Sequence, residues 1–207
     1  MIVSTLTEKT DMKTKHLFGM SCLLLSFAFF LVGCANDGKD SVEKADSINR
    51  AGYNAADSLG GYRSDASTSR FLVRAANSGM AEVKASQLAT DRSTRTAVKQ
   101  IANTMIEDHQ KANDRVKELA RMRNIALPDS LSESKKRRYD DLVEEKNSDF
   151  DRSYVNRMID DHEDAIDLFE DAVDDVRDAD VREFAQNTLP KLRNHLDMLR
   201  NIKKDMR

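Results

Sequence analysis

Residues 94–123 read TRTAVKQIANTMIEDHQKANDRVKELARMR. Val98, Ile101, Met105, His109, Ala112, Val116 and Leu119 recur there at intervals of three and four, which puts them on one stripe of an α-helix. Charged and amide side chains occupy the remaining positions, so the segment is amphipathic and has one face to bury against partners.

Three more segments repeat the pattern. Residues 68–90 place Leu72, Ala75, Ala76, Gly79 and Val83 on one face. Residues 149–176 align Tyr154, Met158, His162, Ile166, Phe169 and Val173, and residues 181–204 align Phe184, Leu189, Leu192, Leu196, Leu199 and Ile202. Pro190 lies inside the last segment, where its missing donor and its ring predict a kink. Asp91-Arg92-Ser93 breaks the first helix from the second, with Ser93 as the expected N-cap. Pro128 marks a connection over 124–132, a short helix is expected over 133–146, and Asp178 to Asp180 form a turn and cap. No period-two run competes. The expectation is an all-α antiparallel four-helix bundle with a short extra helix between helices two and three.

The front of the chain is built differently. Lys13, Lys15 and His16 precede an apolar run from Leu17 to Val32, and Gly33 closes it. That order is a secretory signal, and a run of about 16 residues is short against the roughly 20 that a spanning helix needs. Leu31-Val32-Gly33-Cys34 resembles a lipobox, so residues 1–33 are expected to be removed and Cys34 to carry lipid. Residues 34–66 hold Gly38, Gly52, Gly60 and Gly61 among small polar residues and read as a lipidated cysteine with a flexible tether. The domain proper is then 67–207. Ala35 lacks the aspartate that retains enteric lipoproteins in the inner membrane, which leans the expected location toward the outer membrane.

These features exclude several function classes. The only other cysteine, Cys22, lies in the signal, so a processed domain has neither a disulfide nor a thiol nucleophile. Removal of 1–33 moves the net charge from −3 to −4, which gives no concentrated basic face for nucleic acid. The acidic stretch 160–180 lacks EF-hand spacing and a turn glycine, so it reads as a solvated face. The basic cluster Lys135-Lys136-Arg137-Arg138 is balanced by Asp140, Asp141, Glu144 and Glu145. No serine sits in a nucleophile elbow.

The remaining histidines carry the chemical interest. His109, His162 and His195 fall one per helix, each in its apolar stripe and near its helix midpoint. Antiparallel helices of similar length bring their midpoints to one level, so three rings could converge there. Glu82 lies at a similar height on the first helix. The words Met-Ile-Glu-Asp-His at 105–109 and Met-Ile-Asp-Asp-His at 158–162 echo each other at that level. One reading is a buried metal site of Glu82, His109, His162 and His195, suited to zinc, iron or copper, with Asp108, Asp161 and Tyr154 orienting the rings. The nearby Met105, Met158 and Met198 would turn such a site toward copper(I). The other reading is a polar layer that sets helix register by hydrogen bonding and binds nothing.

Phe71 to Ala89 (FLVRAANSGMAEVKASQLA), MIEDH at 105–109, Leu127-Pro128, FDRSY at 150–154, MIDDH at 158–162 and LPKLRNH at 189–195 together resemble the bacterial family called domain of unknown function 4142. The resemblance covers about residues 68–204. It implies an envelope-exported helical domain of the ferritin-like superfamily, and it implies no reaction. Ile106, Ile159 and Leu192 stand three residues before the histidines, so the Glu-x-x-His words of di-iron ferritins are absent and ferroxidase chemistry is disfavoured. The expectation is therefore a lipid-anchored, non-enzymatic envelope module with an undetermined protein or small-ligand partner. A metal-binding protein for storage or stress protection is the alternative.

Overall fold

The computed structural model describes residues 40–57 and 65–206, and among them it contains six helices and no strand. They are α1 (Ser41–Asp57), α2 (Ala66–Arg92), α3 (Thr96–Met122), α4 (Glu133–Glu144), α5 (Asn147–Asp175) and α6 (Ala179–Lys204). Helices α2, α3, α5 and α6 are the four amphipathic segments of the sequence. Their buried faces are the expected stripes, including Val98, Ile101, Met105, His109, Val116 and Leu119 on α3. None of the described helices is long and apolar enough to cross a membrane. The signal segment, Cys34 and residues 58–64 lie outside the described residues.

The polypeptide direction follows from side-chain contacts. Ser86 on α2 meets Tyr154 near the start of α5, while Ser67 at the start of α2 reaches the Asp175 carbonyl at the end of α5. Those two helices are therefore antiparallel. Helix α4 runs beside α2 in the same direction: Asn77 bonds Ser132 at one end, and Arg92 reaches the carbonyls of Leu142, Val143 and Glu145 at the other. It carries the chain back along the bundle, so α3 and α5 point the same way. One long crossover of this kind is the ferritin-like arrangement.

Helix ends are set by local chemistry. Asp65 accepts the Thr68 amide at the start of α2, Ser132 accepts the Lys135 amide of α4, and Asp178 accepts the Val181 amide of α6. Helix α3 ends at Asn124, whose φ of 52° is left-handed, with the Ile125 amide returned to the Ala120 carbonyl. That bond is the Schellman closure, and asparagine tolerates the backbone it needs. Ser93 departs from expectation. It follows the end of α2, and its hydroxyl accepts the Arg95 amide in a tight turn; Arg95, which makes no side-chain cap, precedes α3.

Residues 41–57 correct the reading of 34–66 as a flexible tether. They form α1, which packs against α2 with Ala45 buried and is tied to the following connection by hydrogen bonds: the Asn49 carboxamide donates to the Ala126 carbonyl and accepts the Ala126 amide. Asp40 accepts the Val42 amide of α1 with one oxygen and the Glu133 amide of α4 with the other. The buried positions Ala45 and Asn49 are small or polar, which is why composition suggested a coil.

The bundle core is divided. One apolar cluster includes Phe71, Leu72, Leu119, Phe169, Val181 and Leu189; the second includes Ile101, Met105, Phe150, Tyr154, Met158 and Leu199. Between them, at the level of the helix midpoints, lie Glu82, His109, His162 and His195, all buried.

Candidate metal centre

The three histidine rings form a nearly equilateral triangle. Their centroids are separated by 5.4 Å for His109 and His162, 5.5 Å for His109 and His195, and 5.5 Å for His162 and His195. One nitrogen of each ring lies within 4.8 Å of one nitrogen of the other two. The stripe register produces this: each ring follows a core residue by three or four positions and enters the same layer from its own helix.

Each ring has one nitrogen engaged by an acceptor. His109 Nδ1 donates to Glu82 Oε2 at 2.7 Å. His162 Nδ1 donates to the Met158 carbonyl one turn earlier at 2.9 Å, and His195 Nε2 donates to Asp108 Oδ2 at 3.0 Å. A carbonyl and an ionised carboxylate can only accept, so these bonds set the tautomers. The nitrogens that remain are His109 Nε2, His162 Nε2 and His195 Nδ1, and in the neutral rings each carries a lone pair. His162 Nε2 and His195 Nδ1 face each other at 3.4 Å, and His109 Nε2 is buried without a hydrogen-bond partner. Metal-binding imidazoles are held in this way, by an acceptor on the nitrogen away from the ion.

The electrostatics agree. Burial by itself would raise the Glu82 carboxyl, but adjacent His109, with His162 and Lys135, outweighs it and brings the pKa down to about 2. Burial, reinforced by the other two rings, pushes His195 down to about 4 against the pull of Asp108. Burial also lowers His162, with Glu82 opposing. In His109 the burial effect is overcome by Glu82, and the pKa is raised. His162 and His195 are thus neutral imidazoles near neutral pH. A buried carboxylate demands a counter-charge, which either a proton on His109 or a bound cation supplies.

The sequence-derived set is partly rearranged. The three histidines converge as expected. Glu82 does not join them as a fourth ligand: it stands behind His109, with its Oε1 unpartnered beside an internal void of about 30 Å³ next to Gly79. Asp108 orients a ring, but that ring is His195 on α6 rather than its neighbour His109. Its other oxygen accepts from Lys191. Asp161 touches no histidine. It accepts from Lys135 at 2.7 Å and pairs with Arg138 at 3.3 Å, both on α4. Tyr154 bonds Ser86 and belongs to an apolar cluster. Met105 and Met158 lie in that cluster and Met198 packs against it, which assigns the thioethers to core packing.

Fold and site together define a four-helix bundle with one crossover helix and a buried triad of imidazoles at its waist. The family model described as Domain of unknown function (DUF4142) matches residues 55–202, and the chain belongs to that family. A solved structure, described as a DUF305 fragment from Deinococcus radiodurans, is similar at a TM-score of 0.63 and 12% identity, covering 70% of this chain and 99% of that one. At that identity the likeness concerns the fold alone. No curated protein matches the chain.

Proposed function

We propose that this protein is a lipid-anchored envelope protein whose helical domain binds one transition-metal ion through His109, His162 and His195, without catalysing a reaction. The observation that carries the metal reading is the convergence of one nitrogen from each ring on a common centre, within 4.8 Å of one another. A register-setting polar layer would leave no ring nitrogen buried without a partner, whereas here His109 Nε2 has none, and His162 Nε2 and His195 Nδ1, whose rings already donate from their other nitrogens, meet only each other.

Three neutral imidazoles without thiolate suit zinc, and also copper(II) or iron(II). Tetrahedral zinc with bonds of about 2.0–2.1 Å sets its nitrogens about 3.4 Å apart. The separation of His162 and His195 already equals that spacing. Glu82 and Asp108 supply negative charge just outside the rings, which balances a divalent ion in a dry layer. Residues 13–34 support the anchored location, with the outer membrane favoured by Ala35.

Metal analysis of the purified full chain tests the proposal. One ion per chain is expected, with loss in His162→Ala at unchanged helicity. A wild-type chain that takes up no stoichiometric zinc, copper or iron after reconstitution overturns it.

A further inference from the structure

We infer that the metal centre keeps one coordination position open toward a cleft between α3 and α6, and that this position takes a small inorganic anion. The inference rests on the proposed metal reading and specifies what the same site binds.

The protein supplies three ligands and no fourth. Among the described residues, the convergent cluster holds only the three histidines. The nearby carboxylates stand outside the cluster: Glu82 is held through Oε2 behind His109 with its Oε1 beside the void at Gly79, Asp108 is held by His195 and Lys191, and Asp161 by Lys135 and Arg138. Three protein ligands with a vacant position are the pattern of zinc sites that accept an exogenous ligand, whereas sites with four protein ligands are closed.

The two flanks of the site differ. Helix α4 covers α2 and α5, with Leu142 buried in the core and Lys135 and Arg138 clamped on Asp161 next to His162. On the α3 and α6 side, among the described residues, no crossover helix covers the site as α4 does on the other flank. There a cleft of about 180 Å³ is lined by both His109 and His195. Ala112, Phe184 and Leu192 give it largely apolar walls, and it shares these walls with the small void at Glu82. A cleft of that volume has room for several water molecules, and so for a small inorganic anion.

Charge at the mouth selects the ligand class. Lys111, Arg115 and Lys191 line the cleft, against one carboxylate, Asp108. Lys111 and Arg115 lean on Glu107 and Glu118, which are 70% and 51% exposed and form solvent-facing pairs of little strength. The two cations can therefore turn toward an entering anion. With Lys191 held on Asp108, Lys111 and Arg115 swung from their exposed partners would give the mouth a positive rim above low-dielectric walls, which concentrates anions even though the chain as a whole carries −3.

The test loads the full chain with cobalt(II), whose visible bands report coordination, and titrates azide. Saturable change at one azide per cobalt is expected. Ala112→Phe, which fills the cleft, should retain one cobalt per chain and weaken azide at least tenfold. Lys111→Gln combined with Arg115→Gln should weaken it severalfold and reduce its salt dependence. Bound cobalt with bands insensitive to azide overturns this inference and leaves the metal reading standing. An azide response unchanged in Ala112→Phe also overturns it, because the cleft is then not the route. Failure to bind cobalt, zinc, copper or iron overturns the metal reading and the inference with it.

Discussion

His162 Nε2 lies 3.4 Å from His195 Nδ1, and the opposite nitrogen of each ring already donates, to the Met158 carbonyl and to Asp108 respectively. Two lone pairs at that distance repel unless a cation lies between or beside them. The pair therefore stores a preference for a metal or a proton, and His109 Nε2, also unpartnered, completes the set.

Zinc should stabilise the folded chain by mass action. Free zinc at 100 times its dissociation constant contributes about 2.7 kcal/mol. For a domain of this size that raises the melting temperature by on the order of 8 °C. Differential scanning calorimetry with zinc and with a chelator measures the shift. His195→Ala should show none of it, and an equal shift in that variant would mean that zinc binds elsewhere.

Glu82→Gln preserves the size of the partner of His109 and removes its charge. Partners of metal-bound histidines typically govern about 10- to 100-fold in metal affinity, so competition against a chromophoric chelator should show a loss in that range. Glu82→Ala should cost more in stability than Glu82→Gln, because it leaves a buried ring N–H unpaired. Wild-type affinity in Glu82→Gln would remove Glu82 from the site.

Asp161 ties α5 to the crossover helix by pairing with Lys135 and Arg138. Asp161 is 4% exposed and Lys135 15%, so breaking the pair costs more than a surface bridge and less than a fully buried one. Asp161→Asn should lower urea stability by about 1–3 kcal/mol. Lys135→Met in the same chain should recover part of that loss, since the stranded ammonium is then gone. Simple addition of the two losses would contradict the coupling.

Acid should weaken the junction between the end of α3 and the start of α6 through Asp178. The guanidinium of Arg123 beside it holds its carboxyl below the ordinary 3.8, against the effect of burial and with help from the Val181 amide. The folded-state value is depressed, so this contribution is fully present above the unfolded value and fades as the pH falls through the lower, folded one. Melting temperature followed from about pH 6 to about pH 2 should fall less steeply in Asp178→Asn than in wild type over the acid end. Parallel curves would show that the Asp178 pair adds nothing.

Much of this architecture was legible in the chain itself. A helix repeats every 3.6 residues whatever it packs against, so the stripes on 94–123 and 149–176 identified both the helices and their buried faces. The histidines were legible for the same reason: a polar residue inside a stripe is carried into the core with it. Near-equal helix lengths then predicted a shared level, and the rings meet there.

Partner choice was decided only by the tertiary structure. Asp108 precedes His109 and must point about 100° away from it, but the sequence does not say what stands in that direction; the packing of α3 against α6 puts His195 there. Glu82 sits at the right height for a ligand, yet its carboxylate ends beyond the ring of His109 and supports that ring from behind. Asp161 answers to α4, whose path along α2 and α5 follows from the crossover. Helix α1 escaped notice because its buried positions, Ala45 and Asn49, are small or polar and carry no large apolar stripe. Periodicity along the chain determines which face of each helix is buried, and the packing of one helix on another determines which side chains meet.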